Sequence, residues 1–316
     1  MSDFSSVRAQ LTRLYSEKAY AQAFDLLQRE ADNFPQQGMM YHWKMCLTAL
    51  LNRPEQAIQA LREALEKGYF YASALLCDDE DLQTLQGLSE YKELVARSVE
   101  RFADLEAHSR AELLVVPPES QSTEPLPLLI GLHGNSQNAQ LAAQDWQPLS
   151  RQGWLLALPQ SSQLITTNAY IWNDMVKGSQ EVQEMHASLT RDYRIDPERV
   201  VLGGFSMGGG LAISMAVTGA IPVRGFIAVG PSLRDYEKLA PYLEAARARG
   251  VRGYILMGLY EPLESQDLMR RTADFLTNNG VPCEIEERPT LAHAFPPDFA
   301  VTLQKALAFL FQQVSV

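Results

Sequence analysis

Two kinds of hydrophobic patterning divide the chain. From the N-terminus to about residue 108, apolar residues recur at helical spacing: Leu11, Leu14 and Tyr15 share one face, and Ala23, Phe24, Leu26 and Leu27 share the next. From about residue 109 onward, short apolar runs take over. They are LLIGL (128–132), WLLAL (154–158), VVLGG (200–204), GFIAVG (225–230), GYILMG (253–258) and CEIEER (283–288). Helix-like segments lie between and after them, at 180–193, 211–218, 236–249, 265–279 and 299–314. Strands alternating with helices predict an α/β fold, with a mostly parallel sheet covered by helices on both faces. Right-handed crossovers then gather the C-terminal ends of the strands along one edge, where a site belongs. ELLVV (112–116) reads as one more strand. The PPESQSTEPLP stretch after it is excluded from a helix by its prolines and reads as a surface hairpin loop. The expected organisation is a helical domain over 1–108 and an α/β domain over 109–316.

The helical part repeats itself. YAQAFDLL (20–27) aligns with PEQAIQAL (54–61) at an offset of 34 residues. Small Ala23 and Ala57 allow close helix approach, Leu27 and Leu61 fill the seam, and Pro54 suits a first helical turn. Over about 4–100 this resembles tetratricopeptide helix pairs in degenerate form. Trp43 is present, but the Trp-Leu-Gly-Tyr pattern is not, and 78–94 looks like the end of an array. The resemblance implies a packing or self-association module, or a docking surface for a protein partner.

Composition narrows the picture. The 316 residues are 46% hydrophobic and 21% charged, enough for a substantial core without staples. A net charge of −11 argues against a nucleic-acid partner and against anionic membranes. Cys46, Cys77 and Cys283 are scattered, without metal-ligand spacing, which fits buried thiols in a reducing compartment. MSDFSSVRAQ has no apolar signal core and no run reaches spanning length, so a cytoplasmic location is expected. No metal site, phosphate loop or dinucleotide fingerprint is legible, and no cofactor is expected.

The chemistry centres on GGFSMGGG (203–210). An apolar β-branched run, G-x-S-x-G, then LAISMA describes strand, sharp turn and helix, with Ser206 at the apex. Gly204 and Gly208 flank it because side chains there would collide across the turn. A serine nucleophile needs a base and an orienting acid. Of the five histidines only His293 follows Ser206, in LAHAFP after the last strand. The candidate acid is Glu261, just beyond GYILMG, with Glu264, Asp267 and Asp235 as rivals. A tetrahedral intermediate needs backbone donors. Met207 N–H supplies one and the HGN loop after LLIGL the other, with Asn135 chosen over Gly134 and Ser136. His133 reads as shaping that loop, not as a base. In the long irregular stretch 161–179, Tyr170 and Trp172 read as an apolar substrate wall or as loop packing. With His133 they complete the candidate substrate-side residues.

The HG loop, the GFSMGG elbow, the post-strand acid and AHAFP together resemble the α/β-hydrolase fold. Within it they resemble carboxylesterase, phospholipase-type and polyhydroxyalkanoate-depolymerase-like esterases, over about 111–316. The resemblance implies a serine hydrolase acting on carboxylic esters through Ser206, His293 and an acid. That family mostly uses Asp where this chain has Glu261. The alternatives are a thioesterase or peptidase with the same triad, or a scaffold that keeps the fold without turnover.

Overall fold

The structure, a computed structural model, describes residues 4–30, 33, 38–120 and 123–312. The chain divides into two compact units. One comprises Met1–Arg110 with Ser162–Ile171, and the other Ala111–Ser161 with Trp172–Val316.

The first unit is built from α1 (Phe4–Ser16), α2 (Tyr20–Glu30), α3 (Gly38–Leu50), α4 (Pro54–Glu66), the short α5 (Ser73–Cys77) and the 20-residue α6 (Ser89–His108). A 3₁₀ turn at Glu80–Leu85 precedes α6. Helices α1 and α2 pack as a pair, as do α3 and α4. Ala23 and Ala57, one repeat apart on α2 and α4, are both fully buried, and Pro54 opens α4 where a missing N–H costs nothing.

The strands, in chain order, are β1 (Glu112–Val116), β2 (Leu126–Leu132), β3 (Leu155–Gln160), β4 (Leu164–Thr166), β5 (Ala169–Tyr170), β6 (Ile195–Phe205), β7 (Gly225–Val229), β8 (Arg252–Gly258) and β9 (Cys283–Arg288). Strands β4 and β5 form a small antiparallel hairpin that belongs to the helical unit. Thr166 bridges Tyr71, Ala72 N–H donates to Ile165 O (3.0 Å), and Thr167 N–H donates to Phe70 O (3.2 Å). The Thr166 and Thr167 hydroxyls donate to Phe70 O (2.8 Å) and Gly68 O (3.1 Å). The sheet unit is therefore discontinuous in sequence. The chain leaves it after Ser161 and returns at Trp172.

The other seven strands form one sheet in the order β1-β3-β2-β6-β7-β8-β9. Only β1 runs antiparallel, against β3. Strand β3 thus lies between β1 and β2, so the proline-rich stretch after β1 is not the hairpin loop expected from the sequence, because the strands it joins are not neighbours. It carries the chain across one strand position, and residues 121 and 122 within it fall outside the described residues. Helices cover both faces: α7 (Ala139–Ser150), α8 (Met175–Asp192), α9 (Met207–Thr218), α10 (Leu243–Ala248), α11 (Leu263–Asn278) and α12 (Phe299–Leu310). Neighbouring strand residues enter different cores. Ile130, Leu202 and Ala228 join one cluster, whereas Leu129, Val201 and Ile227 join the other. Burial on both faces is why these strands read as unbroken apolar runs.

Candidate active site

Strand β6 ends at Phe205 and α9 starts at Met207, so one residue makes the whole turn. Ser206 has φ 53° and ψ −119°, a conformation that strains any residue with a Cβ. Neighbouring backbone imposes it. Ser206 N–H donates to Val229 O (2.9 Å), and its own carbonyl accepts from Gly210 N–H (3.1 Å) and Ser232 N–H (3.0 Å). A Cβ on Gly204 would stand 2.3 Å from Gly208 O, so only glycine lets strand and helix close this tightly.

His293 and Glu261 meet at the same strand ends. His293 Nδ1–H donates to Glu261 Oε2 at 2.8 Å. The carboxylate is almost wholly buried and the imidazole about one-third exposed, so the ring faces solvent on one side and its partner on the other. The ring also lies against Phe205, centroids 4.7 Å apart, directly before Ser206 in the chain. The rival acids are engaged elsewhere or face solvent. Asp267 pairs with Arg271, Asp235 with Lys238, and Glu264 is exposed.

Two residues at this corner were not singled out from sequence. Gly230, just past β7, has φ 52°, and a Cβ there would lie 2.9 Å from His293 Nδ1 and 3.1 Å from Glu261 Oε1. Its bare backbone makes room for the pair. Gln266, buried in α11, donates to Glu261 O (2.8 Å) and Leu259 O (3.0 Å) and so ties down the turn that carries the acid. A polar residue on the inner face of an amphipathic helix was the available signal.

The loop after β2 supplies the second wall. Gly134 N–H donates to the side-chain Oε1 of Gln137 at 2.7 Å, which leaves it committed within the loop. Ser136 takes φ 58°, and its hydroxyl donates to the Asn135 side chain (3.0 Å). Asn135 is exposed. Met207 N–H lies in the first turn of α9, whose N–H groups have no carbonyl one turn back. A Cβ on Gly208 would sit 2.3 Å from His133 O, so the helix start and this loop touch backbone to backbone.

His133 and Trp172 correct the expected substrate wall. Both side chains are buried, His133 at 1% exposure and Trp172 at 0%. His133 Nδ1–H donates to Gly134 O (2.8 Å), and Nε2 accepts Ser161 N–H (3.3 Å). Desolvation holds this ring down at about pKa 4, hence neutral and committed to one tautomer. Trp172 stacks on it (4.8 Å, 28°) and offers no surface to a substrate. Tyr170 lies on β5, in the hairpin of the helical unit.

Among the described residues, one group, in the helical unit, brings metal-ligating atoms together: His42, Cys46 and Asp79, within 4.8 Å of one another. Cys46 Sγ stands 3.8 and 3.9 Å from the two ring nitrogens, so it lies on neither lone-pair axis. His42 Nε2 faces Leu75 O at 2.9 Å, and Cys46 donates to Asp79 (3.7 Å). Burial lowers the imidazole pKa and raises that of the thiol. The group reads as a hydrogen-bonded plug in a helical core. No helix among the described residues is long and apolar enough to cross a membrane.

A family model described as phospholipase/carboxylesterase matches residues 113–311, and another, described as the N-terminal domain of A/B hydrolase-like proteins, matches 5–107. Acyl-protein thioesterase 1 of Mycosarcoma maydis is 29% identical over 123 residues, 36% of this chain and 51% of that protein. The chain thus spans about half the length of that curated relative. An uncharacterized protein from Bacillus cereus ATCC 10987 shares 25% identity, with 98% of this chain and 99% of that one covered and a TM-score of 0.56. Esterase PE8 shares the fold, at 16% identity, 64% and 100% coverage and a TM-score of 0.52. With more than half of its length matched by one family model, over the same residues that build the sheet, the elbow and the histidine loop, the chain belongs to the phospholipase/carboxylesterase family of α/β-hydrolases.

Proposed function

We propose that the protein is a serine hydrolase that cleaves carboxylic esters through an acyl-enzyme. The observation that carries this reading is the partly buried His293–Glu261 hydrogen bond beside the strained serine turn. Ser206 Oγ attacks the ester carbonyl while His293 Nε2 takes its proton. Glu261 holds Nδ1–H, fixes the tautomer and stabilises the imidazolium that forms. The carbonyl oxygen becomes an oxyanion, received by the N–H groups of Met207 and Asn135. Collapse expels the alcohol, which leaves with the proton from His293. Water, deprotonated by the same imidazole, then releases the acid and restores Ser206.

A thioester is the second reading, favoured by the partial match to an acyl-protein thioesterase. A panel of p-nitrophenyl esters of graded chain length, run beside the matching acyl thioesters, separates the two by kcat/KM. A fluorophosphonate is expected to label Ser206, and Ser206→Ala to abolish labelling and turnover together. A folded Ser206→Ala protein with unchanged turnover would exclude the mechanism.

The acidic charge and the three free cysteines support a cytoplasmic location. The helical unit carries an open groove of about 500 Å³, lined by Phe24, Gln28, Lys44, Arg53 and Glu55 among others, and its helices are the part of the chain we assign to self-association or a protein partner.

A further inference from the structure

We propose that Trp172 and Ser161 are positioning residues for the oxyanion loop, gripping it through His133, and that the hairpin they bracket makes this grip answer to the helical unit. The inference rests on the serine-hydrolase reading above.

His133 is held on every polar atom that faces these neighbours. Its Nε2 accepts Ser161 N–H (3.3 Å), its Nδ1–H reaches Gly134 O (2.8 Å), and its carbonyl accepts Trp172 Nε1–H (2.9 Å). The indole that makes the last bond also stacks on the imidazole, so one side chain fixes both the ring plane and the carbonyl direction. Trp172 has little room to turn. A Cβ on Gly178 of α8 would lie 2.8 Å from its ring, which places that helix backbone hard against the indole. A phenylalanine in place of His133 could keep the stack but would lose both ring hydrogen bonds.

The carbonyl that Trp172 holds is the same one that α9 abuts at Gly208. It therefore sits between the indole N–H and the first helical turn. Asn135 N–H lies two residues past His133 in the loop, and Met207 N–H one residue before Gly208 in α9. The spacing of these two donors is set by where His133 O rests. Donors to an oxyanion must stand within a few tenths of an ångström of their working positions, because the bond strengthens only as charge develops. A loop that drifts loses turnover before it loses substrate.

Ser161 and Trp172 are also the last residue before and the first after the excursion into the helical unit. The ten residues between them are fastened there by the Tyr71–Thr166 bridge and by the hydroxyls of Thr166 and Thr167. Along this segment the chain re-enters the sheet unit at Ser161 and Trp172, and both grip His133. The helical unit thus gains a covalent route to the oxyanion loop.

The test uses the full-length protein and three variants. Trp172→Phe keeps an aromatic ring and deletes the N–H. Trp146→Phe is the matched control, since Trp146 is equally buried and its Nε1 has no hydrogen-bond partner among the described residues. Thr167→Val deletes the hydroxyl that bonds Gly68 O and receives Phe70 N–H (3.0 Å). Trp172→Phe is expected to lower kcat about tenfold, the loss of roughly one buried hydrogen bond, with KM within about twofold. Affinity for a trifluoromethyl ketone, whose adduct carries an oxyanion, is expected to fall by the same factor as kcat/KM. Trp146→Phe keeps a ring against Phe295 and Phe299 and deletes no hydrogen bond, so it is expected to lower the melting temperature with kcat and KM within about twofold. Thr167→Val is expected to lower kcat about threefold with KM unchanged. Equal kinetics for the two tryptophan variants, or a loss in KM with the ketone affinity unmoved, would overturn the positioning role. Wild-type kcat in Thr167→Val would overturn the link to the helical unit. Failure of the underlying reading shows separately, as turnover that survives Ser206→Ala.

Discussion

A single residue carries the sharpest conflict between stability and chemistry. Ser206 holds φ 53° because hydrogen bonds on both of its sides leave no other conformation. Such a backbone costs on the order of 1–3 kcal/mol for a residue with a Cβ, and glycine escapes most of it. Ser206→Gly is therefore expected to raise the unfolding free energy by about 1 kcal/mol in urea titration while removing all turnover. A fall in stability would mean that the turn is relaxed. The acid offers a second test at this scale. Glu261→Gln keeps the size and removes the charge that supports the imidazolium, so kcat is expected to drop by roughly two to four orders of magnitude. Glu264→Gln, on an exposed side chain three positions further on, is expected to stay near wild type in the same ester assay.

Elements decide which of these residues meet. The end of β7 is where β6, β8 and the histidine loop converge, and Gly230 fills that corner with backbone alone. Gly230→Ala would drive a methyl group to 2.9 Å from His293 Nδ1 and must displace the His293–Glu261 pair. Misplacement of a base by about 1 Å can cost on the order of a hundredfold, so kcat is expected to fall by about that factor with KM little changed, read by steady-state kinetics. The same corner shows what a sequence can and cannot carry. The elbow is legible because one of its constraints, the close approach of Gly204 to Gly208, acts within five residues, whereas the contacts of Ser206 with Val229 and Ser232 and of Gly208 with His133 are tertiary. Five of the six runs are legible because burial on both faces leaves few polar positions to blur them, whereas CEIEER, the edge strand β9, alternates apolar and charged residues. Glu261 and Glu264 look alike locally, and only a tertiary hydrogen bond tells them apart. Trp172 looks like a pocket wall until His133, 39 positions earlier, is placed beneath it. The hairpin strands span three and two residues, too short for any periodicity, and their partner is Tyr71, far back in the chain. Strand β1 was legible as a strand but not as the neighbour of β3, because strand order is not a local property.

For the whole molecule, the two units cannot be separated by one cut. A chain lacking residues 1–110 would retain 162–171 without the segment 68–72 that fastens it. That hairpin is expected to become the first site of cleavage in limited proteolysis, located by mass spectrometry, whereas the intact chain resists there. Equal resistance in both proteins would show that the hairpin stands without its partners. The interleaving also has a consequence in time. Phe70 and Thr166 are 96 positions apart, and synthesis runs at about 5–20 residues per second. The helical unit therefore leaves the ribosome unfinished and waits roughly 5–20 s for the strands that complete it. During that interval the Phe70 carbonyl and the Ala72 N–H lack the partners they hold in the finished fold, and the nascent chain presents an open edge to whatever it meets first.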